Sequence, residues 1–192
     1  MRINEIRSPH SIEEITELLI RDCQPFLQDI DGNLQDYLLW RGMNVYSKDR
    51  FGEKEMRANR NPLNTPDEIH NEMNKWYQKN YGHPYRNGVF CTGDYSTAGG
   101  YGYARAIFPK GEFDFISHRT MDDSFDVAQR AMMVDSNKMV FVVNNLLDSI
   151  KSGFNTTDLK SAISGQTEII LWVPEYYYLD IDMVKAIGKF LQ

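Results

Sequence analysis

The chain is predicted to fold as one α+β domain. Helix signals dominate its first third, strand signals concentrate after about residue 89, and no repeat, linker or low-complexity tract divides it. At 192 residues a single domain spanning 1–192 is the default, and that length buries a sizeable core. An apolar fraction of 42% and a charged fraction of 25% are those of a globular protein.

The elements follow in order. Ser11-Ile12-Glu13-Glu14 reads as a capping box that opens a helix carrying Ile12, Ile15, Leu18 and Leu19 at helical spacing, with Pro25 just past its end. Asp31-Gly32-Asn33 marks a turn, and Tyr37 to Trp40 reads as a short buried strand ending at Arg41-Gly42. From Asn44 to Asn64 the chain is polar and charged, which predicts a long surface excursion. Thr65-Pro66-Asp67-Glu68 predicts a helix start with Thr65 as cap and Glu68 closing the box. Ile69, Met73, Trp76 and Tyr77 then form the inward stripe, and Gly82 is the stop.

Val89 to Thr92 is the next strand, followed by a glycine-weakened short helix within Tyr95–Ala106. Ala106-Ile107-Phe108 and Glu112 to Ile116 flank a Pro109-Lys110-Gly111 turn as strands, and Phe125 to Met133 reads as helix. Met139 to Ile150 suits strand and helix equally. Ile169 to Val173 is the most secure strand, Tyr176 to Leu179 another, and a helix from about Asp182 to Leu191 closes the chain.

Composition also bounds function. No stretch approaches the roughly 20 apolar residues of a membrane span, and the segment from Met1 to Ile6 lacks the apolar core of a signal peptide. A cytoplasmic protein without a membrane partner is therefore expected. Cys23 and Cys91 have no CxxC spacing and read as reduced thiols. The net charge of −6 gives no general attraction to nucleic acid. Lys48, Arg50, Lys54, Arg57 and Arg60 nevertheless make the 44–64 segment locally cationic, diluted by Asp49, Glu53 and Glu55. The four histidines, His10, His70, His83 and His118, show no metal-ligand spacing and read as surface or packing residues, so no metal is expected. The glycines form neither G-x-G-x-x-G after a strand nor a P-loop.

Chemistry concentrates in three islands: Leu38-Leu39-Trp40-Arg41-Gly42, Gly88-Val89-Phe90-Cys91-Thr92-Gly93, and Ser164-Gly165-Gln166-Thr167-Glu168-Ile169-Ile170. If the last is a strand mouth, Gln166 and Glu168 point the same way, two strand rises or roughly 6–7 Å apart. An arginine ending one strand, a hydroxyl on a second and Gln-x-Glu on a third, in this order, resembles the mono-ADP-ribosyltransferases of the Arg/Ser-Thr-Ser/Glu class. The likeness covers about a fifth of the chain.

That resemblance implies two packed, mainly antiparallel sheets around an NAD cleft with flanking N-terminal helices. It implies NAD as the substrate that donates ADP-ribose. Arg41 would bind the NAD phosphates, Gly42 would let the backbone approach the nicotinamide amide, and Thr92 would brace the pocket. Only this central hydroxyl matches, because Cys91 and Gly93 replace the flanking serines. Glu168 would stabilise the developing ribosyl cation, and Gln166 would face the acceptor. Glutamine at that position accompanies amide side chains or nucleic-acid bases as acceptors, so the implied partner is a host protein or a nucleic acid.

Thr92 to Gly102 further resembles a T-x-x-x-x-x-A-x-x-Y-G run of this fold, with Tyr101 lining the nicotinamide pocket. The order of Trp-Arg-Gly, Arg57-x-x-Arg60-x-Pro62 and Phe-x-Thr-Gly is similar to that of bacteriophage proteins, which implies the host cytoplasm as location. Two alternatives remain open: an inactive transferase-like binding or virion protein, and an NAD glycohydrolase with water as acceptor.

Overall fold

In a computed structural model, residues 11–44, 49–57, 59–60, 64–121 and 123–189 are described. His10, Lys48, Pro62 and the segment from Met1 to Ile6 lie outside them. The chain is α+β, its strands joined in one eight-stranded sheet whose pairings are antiparallel.

The N-terminal helices are α1 (Ile12–Asp22) and α2 (Gln24–Asp29). The capping box forms: Ser11 Oγ accepts from the Glu14 N–H, and the Ser11 N–H donates to Glu14 Oε2 at 2.9 Å. Pro25 lies just past the end of α1, as expected, and there it sits in the first turn of α2, where its missing N–H is not needed. Strand β1 (Leu39–Met43) starts later than Tyr37 and runs through the arginine.

The polar 44–64 excursion contains a strand, β2 (Phe51–Glu55), which pairs with β8 (Glu175–Leu179) from Phe51↔Leu179 to Glu55↔Glu175. Its charges mark it as a sheet edge facing solvent, which hides it from an apolar-pattern search. Helix α3 (Asp67–Tyr81) begins after Pro66 without a side-chain cap, and Thr65 is buried instead. A residue before proline is driven to extended backbone, which moves the start one position on. Gly82 ends α3 at φ 87°, as a left-handed cap.

Next come β3 (Val89–Thr92), α4 (Tyr95–Gly99), β4 (Tyr103–Pro109) and β5 (Asp114–His118). Helices α5 (Phe125–Met132) and α6 (Met139–Ile150) resolve the 139–150 ambiguity in favour of helix. The short β6 (Phe154–Asn155) and α7 (Leu159–Ser164) carry no strong sequence signal. Strand β7 (Glu168–Trp172), β8 and α8 (Ile181–Ile187) complete the chain.

The sheet order is β2-β8-β4-β1-β3-β7-β5-β6. One apolar cluster gathers Ile15, Leu19 and Phe26 with Phe108, Tyr177, Leu179 and Val184, and continues to Val89, Cys91, Ile169 and Leu171. A second joins α3, α5 and α6 to Ile116 and Ile170 through Met73, Tyr77, Ala128 and Leu147. Trp76 Nε1 donates to Asp148 Oδ1 at 2.8 Å, which pins α3 to α6.

The two halves of the sheet meet at β1 and β3. β1 pairs with β4 from Leu39↔Ile107 to Met43↔Tyr103, but with β3 at the single position Trp40↔Thr92. Beyond that position the strands part. The expected pair of separate sheets is therefore one sheet joined at a narrow seam.

Candidate functional site

The seam positions the first residue. Arg41 follows Trp40 at the point where β1 leaves β3, and its side chain is half-buried. Its Nη1 donates to the Phe90 main-chain oxygen at 2.8 Å. The next strand over carries Thr92, directly opposite Glu168 of β7. Arg41, Thr92 and Glu168 thus stand on three adjacent strands, β1, β3 and β7. The residue in register with Thr92 and Glu168 is Trp40, and Arg41 is one position further on, on a strand whose backbone lies roughly 10 Å from that of β7.

Thr92 is buried, and its hydroxyl donates to the Gln166 carbonyl at 2.9 Å while accepting from the Asp94 N–H at 3.2 Å. The flanking positions explain why one hydroxyl remains. Cys91 points to the opposite face and is buried among apolar side chains, where burial pushes its thiol up to about 12. At Gly93 a Cβ would stand 1.8 Å from the Ile163 carbonyl oxygen, so α7 leaves no room for a serine.

Glu168 is the first residue of β7 and is half-buried, its carboxyl end facing a small cavity walled by Tyr77, His118, Met121 and Phe154. Its Oε1 accepts from the main-chain N–H of Ser124 at 3.1 Å, just before α5. Burial, and then Asp123 beside it, raise the carboxyl to about 7 against the opposing pull of Arg86 and the Ser124 bonds. A carboxyl poised there exchanges its proton near neutrality.

Gln166 departs from the alternation expected of it. β7 begins at Glu168, and Gln166 lies before it at φ 58°, exposed, with its N–H donating to the Ile163 carbonyl at 3.1 Å. The turn out of α7, not strand geometry, sets its direction. Gly42 is demanded by internal packing, since a Cβ would come within 2.3 Å of the Ala98 carbonyl oxygen and 2.7 Å of Tyr101 Cβ. Tyr101 itself is 75% exposed, on an open groove with Met43, Asn44, Gly99, Gly102 and Tyr103.

Sequence reasoning missed Arg86, Ser124 and Asp123. Arg86 is buried and donates through Nη1 to the Ser124 hydroxyl, so the residue that holds Glu168 is itself held. A serine ahead of Phe125 is a readable helix-start signal, but a donor on its backbone is not. The described histidines, His70, His83 and His118, are engaged in packing and hydrogen bonds. His118 Nδ1 accepts from the Thr120 and Met121 N–H groups, which leaves its Nε2–H for the Ile150 carbonyl. His83 meets Asp114 at 2.8 Å and stacks on Trp172, and His70 is buried against Asn74 and Asn87.

No family model matches this chain, and no curated protein or solved structure does. Among the described residues no helix is long and apolar enough to cross a membrane.

Proposed function

We propose that the protein transfers ADP-ribose from NAD to a macromolecular acceptor and releases nicotinamide. The observation that carries this reading is the row Arg41–Thr92–Glu168 across the seam where β1 and β3 part. A permanently charged fork on β1 and an acid near neutrality on β7, two strands over, suit the pyrophosphate and the nicotinamide ribose of a dinucleotide.

In this reading Arg41 receives phosphate oxygens. The bond between the ribose anomeric carbon and the nicotinamide nitrogen breaks, and nicotinamide leaves with the electron pair. The ionised Glu168 stabilises the resulting cation more than the ground state, which is what accelerates the step. An acceptor nitrogen or oxygen then bonds to the anomeric carbon and gives up its proton to the Glu168 carboxylate or to water. Thr92 fixes the turn before β7 and so the direction of Glu168. Water as acceptor would give the glycohydrolase reaction in the same pocket.

Incubation of the purified protein with NAD carrying a labelled adenylate, in host-type lysate with and without nuclease, tests the reading. Label on a macromolecule together with free nicotinamide supports it. Free ADP-ribose alone turns it into a glycohydrolase, and unchanged NAD leaves an inactive binding module.

A further inference from the structure

Two more guanidinium groups stand against Phe90. The Arg60 Cζ lies 4.2 Å from the Phe90 ring centroid and the Arg86 Cζ 5.3 Å from it. Arg41 meets the same residue from its main-chain side. None of the three forms an ion pair with a carboxylate among the described residues. Arg86 is 7% exposed, and its Nε has no partner. The Nη1 of Arg60 is likewise buried and unpartnered.

Buried cations with only part of their hydrogen bonds made are costly, and like charges gathered together add to that cost, which the nearby Glu168 carboxyl offsets in part. Burial, with Arg41 and Arg86 close by, pulls the Arg60 guanidinium down to about 10. An arrangement of this kind is relieved by a bound anion. Paired guanidinium forks match phosphate oxygens better than they match any other common anion except a carboxylate.

We propose that Arg60 and Arg86 form a second anion subsite on the ring side of Phe90, which takes a backbone phosphate of a nucleic-acid acceptor; this rests on the reading of Arg41 and Glu168 as the NAD cleft. Arg60 lies within electrostatic reach of Arg41, Arg86 and Glu168, and Arg86 draws the subsite toward Glu168. Arg86 reaches Glu168 through two hydrogen bonds, to Ser124 Oγ and from the Ser124 N–H, so it stands at the end of the row where an acceptor must arrive. Exposed aromatic rings favour nucleic acid over a phosphoprotein. Tyr101 and Tyr103 are 75% and 50% exposed beside the end of β1, and such rings stack bases without regard to sequence.

The test uses fluorescence anisotropy with a labelled single-stranded RNA and a DNA of the same sequence, over a salt series, and NAD titration calorimetry in parallel. Arg60→Gln should weaken oligonucleotide binding about tenfold, flatten its logarithmic salt dependence by about one phosphate contact and leave NAD affinity within about twofold. Arg60→Lys, which keeps the charge, should recover part of the loss. Arg41→Ala should do the reverse and weaken NAD.

If Arg60→Gln weakens NAD and not the oligonucleotide, Arg60 belongs to the NAD cleft and the acceptor subsite is overturned while the NAD reading stands. Salt-independent or absent oligonucleotide binding by the wild type overturns it as well, as does saturable binding of a phosphoserine peptide in its place. NAD affinity unmoved by Arg41→Ala sinks the NAD reading instead.

Discussion

The Thr92 hydroxyl holds the carbonyl of Gln166 at 2.9 Å, and Gln166 sits at φ 58°, a left-handed conformation that glutamine seldom adopts. The strand residue thereby fixes a turn whose backbone is strained, and the turn aims Glu168. Removing the hydroxyl by Thr92→Val should release Gln166, loosen the start of β7 and lower turnover about tenfold or more with NAD affinity little changed. Thr92→Ser, which keeps the hydroxyl, should restore most of the rate. A full rate in Thr92→Val would show that the bond does not position Glu168.

Turnover should depend on the ionisation of Glu168. Its carboxyl is raised from about 4.5 to about 7, so the fraction able to stabilise a cation increases as pH rises through 7. Single-turnover rates should climb from pH 6 to 8 and then level. Glu168→Gln should lower turnover by two or more orders of magnitude and abolish this profile, while the fold persists. A flat profile in the wild type would remove Glu168 from the chemical step.

The same shift has the opposite consequence for stability. The native state binds this proton more tightly than the unfolded chain, so the contribution is complete below pH 4.5 and is lost as pH rises through 7. Glu168→Gln should therefore raise the melting temperature by a few degrees at pH 8 and change it little at pH 4.5. Equal effects at both pH values, by calorimetry, would contradict the raised carboxyl.

The brace on Glu168 is a backbone donor. Ser124 has φ −62°, which suits proline, so Ser124→Pro deletes the N–H where Ser124→Ala keeps it. Both variants lose the hydroxyl that accepts from Arg86. The proline variant should move the rise in turnover to higher pH further than the alanine variant, because both lose the hydroxyl that also holds the carboxyl down and only proline loses the N–H. Identical profiles for the two variants would show that the N–H contributes nothing.

Gly93→Ala should be severely destabilising, because its Cβ would meet main-chain atoms of Ile163 that cannot turn aside. A cost of about 3 kcal/mol or more, or no soluble protein, is the expected outcome by denaturant titration. Wild-type stability in this variant would mean that α7 moves freely from β3.

Much of the fold was legible where local chemistry and global packing agree. The Ser11 box, the Gly82 stop and the apolar run Ile169 to Val173 each formed as read. β2 was not legible because an edge strand carries its charges outward, and α7 was not because six residues hold too little periodicity to detect. At the site, Thr92 and Glu168 stand opposite each other across β3 and β7, while the alternation argument concerns Gln166 and Glu168. It fails at Gln166, whose left-handed turn has no glycine to announce it. Arg86 and Ser124 were hidden because their importance lies in whom they touch. Nothing in Tyr85-Arg86-Asn87 reveals a partner 38 residues away.

The single paired position between β1 and β3 also governs how the chain can be divided. β1 and β2 belong to one side of the seam, β3 to the other, β4 returns, β5 to β7 lie across again, and β8 comes back. Neither side is a continuous stretch of polypeptide, so no cut at one loop liberates a half that could fold alone. Strands far apart in sequence must find each other before either side is complete, which predicts slow folding for a chain of this size. Circular permutation at an exposed turn would keep every strand on one molecule. Splitting the gene at that turn would leave both fragments unstructured until they were mixed.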